Sequence, residues 1–150
     1  MNELMLMLQP GVEPLLEILR RERDILESLL ARLRQVGELV LSHPDRSLAS
    51  AARQVSNLED QLGTTEMMRA LIVAGIAEEW HINDYDLSLR TIISRGHPDH
   101  AQALGQRLDE LVALTNEIDS LRPSLEQSTR ERLEAAQLGI ERLAGTPLDG

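Results

Sequence analysis

The residues able to hold a metal ion or move a proton are few, and their spacing argues against either task. Glu78-x-x-His81 is half of a di-iron carboxylate motif, and a working site needs two such motifs plus further Glu side chains projecting into a bundle core. No second Glu-x-x-His exists, and Glu78 falls near a helix end. His97 and His100 with Asp99 could bind a divalent ion, but they fall in a first helical turn, where exposed His and Asp are ordinary. The chain has no Cys, which excludes disulfides and thiolate metal sites and leaves the redox compartment open. No Ser or Thr stands in a recognisable nucleophile motif, and there is no Gly-rich phosphate loop. These residues describe a non-enzyme with no cofactor and no metal.

The tripeptides His43-Pro44-Asp45 and His97-Pro98-Asp99 have a different use. Each follows an apolar helix end and opens a new amphipathic run. Pro suits the first helical position, where its missing N–H would be unpaired anyway, and the adjacent Asp favours the positive end of the helix dipole. The same tripeptide is the signature loop of J-domain co-chaperones, but those domains also carry a basic helix before the loop and characteristic aromatics. This chain has no Lys and no Phe. The two corners share only a hydrophobic pattern, which indicates convergence on good helix starts rather than a duplicated unit.

Helices must therefore supply whatever this chain presents. Its 150 residues suffice for one domain that buries about two-thirds of its unfolded surface. With Trp80 and Tyr85 as the only aromatics, the core must be Leu, Ile, Val, Met and Ala, which suits interlocking helices. Fifteen Arg stand against 25 acids, and the net charge of −10 repels nucleic acid and anionic lipid. The opening Met1 to Leu8 is apolar but begins Asn2-Glu3, and Leu4 to Leu8 is too short to span a bilayer. It is read as a flexible arm over residues 1–11, with a tail at 145–150.

Three long tracts carry an apolar repeat. From about Pro14 to Leu41, the residues Val12, Leu15, Leu19, Leu26, Leu29, Leu33, Val36 and Val40 recur at alternating three- and four-residue steps, and only Glu22 interrupts the seam. Ile18, Ile25 and Leu30 widen the stripe, as a helix with two neighbours requires. The Arg20, Arg21 and Arg23 cluster reads as a solvated face. A second helix starts at Pro44 and carries Leu48, Ala51, Val55, Leu58 and Leu62; Gly63-Thr64-Thr65 could kink it before Met67, Met68, Leu71, Ile72 and Ile76, and it ends near Trp80. Leu87, Leu89, Ile92 and Ile93 predict a short connecting helix with Asn83 or Asp84 as its N-cap. The last helix opens at Pro98 with Leu104, Leu108, Leu111, Thr115, Ile118 and Leu125, and Pro123 predicts a kink or break within the preceding turn. The sequence thus predicts an all-α fold: an elongated antiparallel bundle of three long helices, a short connecting helix and a kinked C-terminal helix, in a single domain.

Three stretches carry a likeness to a known family. They are Leu15-Leu16-Glu17-Ile18-Leu19-Arg20-Arg21-Glu22-Arg23-Asp24-Ile25-Leu26; then Leu58-Glu59, Glu66-x-x-Arg69-x-Leu71 and Ala74-Gly75-Ile76-Ala77; then Leu87-x-Leu89-x-x-Ile92 with Arg132-Leu133-x-x-Ala136-x-x-x-Ile140-x-x-Leu143. From about residue 13 to 144 the chain resembles the FlgN family, flagellar type III export chaperones for hook–filament junction proteins. It departs from the family pattern at Trp80 and at Arg122-Pro123-Ser124-Leu125. The resemblance implies a cytoplasmic chaperone that binds the C-terminal helical segment of its client, masks it and delivers it to the export gate. The positions that match the client-binding segment are Leu125, Leu133, Ala136, Ile140 and Leu143, an apolar face of the kind helix-in-groove recognition uses. The alternative is a self-associating helical-bundle adaptor or scaffold, a homodimer through its heptads with no export role. Neither reading involves nucleic acid or a membrane.

Overall fold

The computed structural model describes residues 11–42, 45–83 and 87–145, apart from the side chains at 45, 46, 133, 136 and 140. It is all-α: helix α1 spans Val12–Ser42, α2 Asp45–Glu79, α3 Leu89–Arg95 and α4 Pro98–Gly145, with no strand among the described residues. The N-terminal arm, the first His-Pro corner and the C-terminal tail lie outside the described residues.

Helix α1 starts two residues earlier than the apolar pattern suggests. Gly11, at a positive φ of 150°, turns the chain into the helix, and its carbonyl accepts the first helical hydrogen bond from Leu15 N–H at 3.3 Å. Pro14 then falls in the first turn, where its missing N–H costs no intrahelical hydrogen bond. The seam is buried along almost its whole length, from Val12 through Leu33 to Val40, with Val36 half-buried. Ile18 and Leu30, beside the seam, are buried too. α1 therefore faces two partners, and α2 and α4 fill those places.

Side-chain pairs fix the register. Along α4 the partners ascend with α1: Arg23 with Glu110 at 3.5 Å, Arg34 with Glu117 at 3.2 Å, then Arg132 with the end of α1. Along α2 they descend, since Glu22 meets Arg69 while Leu33 and Val36 share a groove with Ala52 and Val55. The exposed pairs contribute little energy. The packing energy comes from Leu15, Ile18, Leu19, Leu29, Ile72, Ile76, Ile92 and Leu104, all fully enclosed.

Helix α2 runs unbroken through Gly63-Thr64-Thr65. The Thr64 and Thr65 hydroxyls donate back to the carbonyls of Asp60 and Gln61 at 3.2 and 2.8 Å, which satisfies them without a break. Met67 and Leu71, though part of the apolar pattern, face outward. The helix closes in a Schellman turn: Ile82 N–H bonds to Ala77 O at 2.8 Å, and His81 N–H to Glu78 O at 3.3 Å. His81 holds the left-handed position with φ 57°, while Ile82 tucks into the core.

The connecting helix is capped differently from the sequence expectation. Ser88 is the N-cap of α3, its Oγ accepting from Thr91 N–H at 3.4 Å. A cap must directly precede the first helical residue, and α3 starts at Leu89; Asn83 is too far upstream and Asp84 lies outside the described residues. His97 plays the same part for α4, its Nδ1 accepting from Asp99 N–H at 3.2 Å, with Pro98 as first helical residue. α4 does not break before Pro123. Pro123 and Asp119, whose carbonyl loses its helical donor, both lie on the exposed side.

Candidate partner-binding surface

The five residues expected to bind a partner fall into two settings on α4. Leu125 belongs to the bundle. Its Cδ2 sits where a Cβ on Gly37 would come within 3.0 Å, so α1 and α4 approach closely there because residue 37 has no side chain. Leu125 also lines an apolar groove of about 450 Å³ with Leu33, Val36, Ala52 and Val55. Leu143, by contrast, is 74% exposed. Leu133, Ala136 and Ile140 lie on the helix between them, and their side chains are outside the described residues.

Arg132 marks the boundary. One guanidinium nitrogen donates to the carbonyls of Leu39 and Val40, at 3.2 and 2.7 Å. These belong to the last turn of α1, where carbonyls lack helical donors and a cation is favoured by the dipole. α1 has no basic residue of its own in that turn, so α4 provides one. Beyond this clamp, from Glu134 to Gly145, every residue whose side chain is described is exposed, Leu138 included at 54%.

A second arrangement centres on the residue that interrupts the α1 seam. Glu22 is only 2% exposed. Its Oε2 accepts from Arg69 Nη1 of α2 at 2.7 Å, while its buried Oε1 has no donor among the described residues. Burial pushes the Glu22 carboxyl up to about 7 against the opposing pull of Arg69, and the negative charge of Glu66 adds to the rise. The pair opens onto a cleft of about 500 Å³ bounded by α1, α2 and α4. The interruption was visible in the sequence as Glu22 in the leucine register; its partner Arg69, 47 residues away, was not.

The other candidates dissolve into local structure. Glu78 is exposed near the end of α2, and His81 makes its turn. His97, Asp99 and His100 form the start of α4, with the two imidazoles edge-on at 6.1 Å and Asp99 directed to solvent. Among the described residues no three His, Asp or Glu side chains are grouped to hold a metal ion. The basic cluster of α1 is tied up in ion pairs: Arg23 reaches Glu110 of α4, while Arg20 bridges Glu17 and Asp24, and its hydrogen bond holds the Glu17 carboxyl below its usual range. Among the described residues no helix is long and apolar enough to cross a membrane. No family model, no curated protein and no solved structure matches the chain.

Proposed function

We propose that this chain is a FlgN-like flagellar export chaperone, an elongated antiparallel bundle whose C-terminal helical segment captures a client helix. The observation that supports this most is at the end of α4: past the Arg132 clamp, Leu143, which shares the helical face of Leu133, Ala136 and Ile140, is 74% exposed. An isolated helical segment this short is marginal in water. Covering its apolar side with an amphipathic client helix would stabilise both partners. Leu133, Ala136, Ile140 and Leu143 are the proposed contacts, with Leu125 anchoring the segment to the bundle. The reading is one of cytoplasmic capture and delivery to the export gate, without catalysis, cofactor or nucleic acid.

The test is calorimetric titration with the C-terminal helical segments of hook–filament junction proteins from the same organism. Tight one-to-one binding by the full chain, lost when the chain is ended after Leu133, supports the reading, and that truncation keeps the Arg132 clamp in place. Absence of binding together with a stable dimer in sedimentation overturns it in favour of a self-associating scaffold.

A further inference from the structure

The cleft at Glu22 is built for something the bundle itself does not supply. A carboxylate in a leucine register costs desolvation, and a buried oxygen with no donor costs more. Glu22 meets both conditions: Oε2 is held by Arg69, and Oε1 is enclosed and has no donor among the described residues. The walls beside it are apolar, chiefly Leu62, Leu108, Leu111 and Val112. Val112 is partly exposed at the mouth.

Charge in the cleft is unbalanced. Its two cations are engaged, Arg69 by Glu22 and Arg122 by Glu59. Two further carboxylates at the cleft, Glu66 and Asp119, have no ion pair among the described residues. An apolar slot with surplus negative charge and a waiting acceptor fits a side chain with an apolar stem and a cationic head, which is Arg or Lys. The slot is also long: its α4 wall runs from Leu108 to Arg122, about 20 Å at the helical rise. That length fits several turns of a helix better than a point ligand, and the chain's net charge of −10 steers basic partners toward it.

We propose that the cleft between α2 and α4 is a docking site for a basic amphipathic helix of a partner protein, which inserts one Arg or Lys beside its apolar residues and displaces the side chains that enclose Oε1 of Glu22, so that the cation meets it. The site is distinct from the end of α4 and does not depend on the export-chaperone reading. The apolar walls supply affinity, and Glu22 supplies the choice: a neutral side chain in the same place leaves Oε1 without a donor.

The experiment is run at about pH 8, where Glu22 is ionised, with the full chain and a designed amphipathic helical peptide of Leu, Ala and Gln with a single central Arg. Its twin carries citrulline there, which keeps the shape and removes the charge. Fluorescence anisotropy gives the affinities, and methyl NMR at Leu108 and Val112 locates the contact. The Arg peptide binds about tenfold more tightly than its twin, in line with one charge-assisted hydrogen bond. The preference disappears in Glu22→Gln, with folding checked by circular dichroism, and Asp119→Asn at the exposed rim weakens Arg-peptide binding severalfold. Equal affinity for the two peptides, a preference that survives Glu22→Gln, or methyl shifts elsewhere would each overturn the proposal. So would Glu22-dependent self-association without peptide, which would make the cleft an interface between copies.

Discussion

The two ends of α4 carry the same kind of apolar repeat and meet opposite fates. Near its start, Leu104, Leu111 and Ile118 lie against α1 and are almost fully enclosed. Past Arg132, Leu143 of the continuing repeat stands in solvent on the same helix. The difference is the length of the partner. α1 ends at Ser42, Arg132 closes its last carbonyls, and no part of α1 continues alongside α4. Periodicity thus establishes that a face exists, whereas the lengths of neighbouring helices decide whether the chain covers it.

The comparison is broken most directly by truncating leucines in the two regions. Leu104→Ala, in the enclosed part of α4, should cost about 3 kcal/mol in urea unfolding, through lost transfer energy and the cavity left behind. Leu143→Ala should stay within about 0.5 kcal/mol. A comparable loss at both sites would mean that the end of α4 is covered.

Almost as large is the effect of pH on the body through Glu22. The folded chain holds the Glu22 proton up to about pH 7, whereas the ordinary value is 4.5. Between these values the native state binds more protons than the unfolded one, so stability falls as pH rises, by about 3 kcal/mol over the window, and levels off above it. Glu22→Gln should remove that slope, read as melting temperature at pH 5 against pH 7.5; an unchanged slope would place the titration elsewhere. At the boundary between the regions, Arg132→Ala removes the clamp on the end of α1. It should cost about 1.5 kcal/mol in the same unfolding assay, the range of a charge-assisted hydrogen bond. Smallest is His81→Gly, which relieves a left-handed backbone and should stabilise the chain by about 0.5 to 1 kcal/mol.

Much of this was legible in the chain. The α1 seam, the ends of α1 and α2, and the start of α4 at Pro98 follow from apolar spacing and cap chemistry within a few residues of each other. The misreadings have local causes. Gly63-Thr64-Thr65 stays within one continuous helix, its hydroxyls bonded back one turn. Of the kink or break expected before Pro123, the break does not occur, and the lost bond falls on the exposed side of α4. Met67 and Leu71 continue an apolar pattern without reaching the core, which a pattern of residue types has no means of registering. The Glu22–Arg69 pair and the Arg132 clamp join residues far apart in sequence. In the sequence each showed only one half: a charge in a leucine register, and a helix without a basic last turn.

Amide hydrogen exchange on the chain alone tests the contrast along α4 most directly. The account predicts that amides from Glu134 to Gly145 exchange orders of magnitude faster than those from Leu104 to Leu121, since no packed surface among the described residues protects them. Equal protection along both stretches would contradict it, because the end of α4 would then be covered and unavailable for capture.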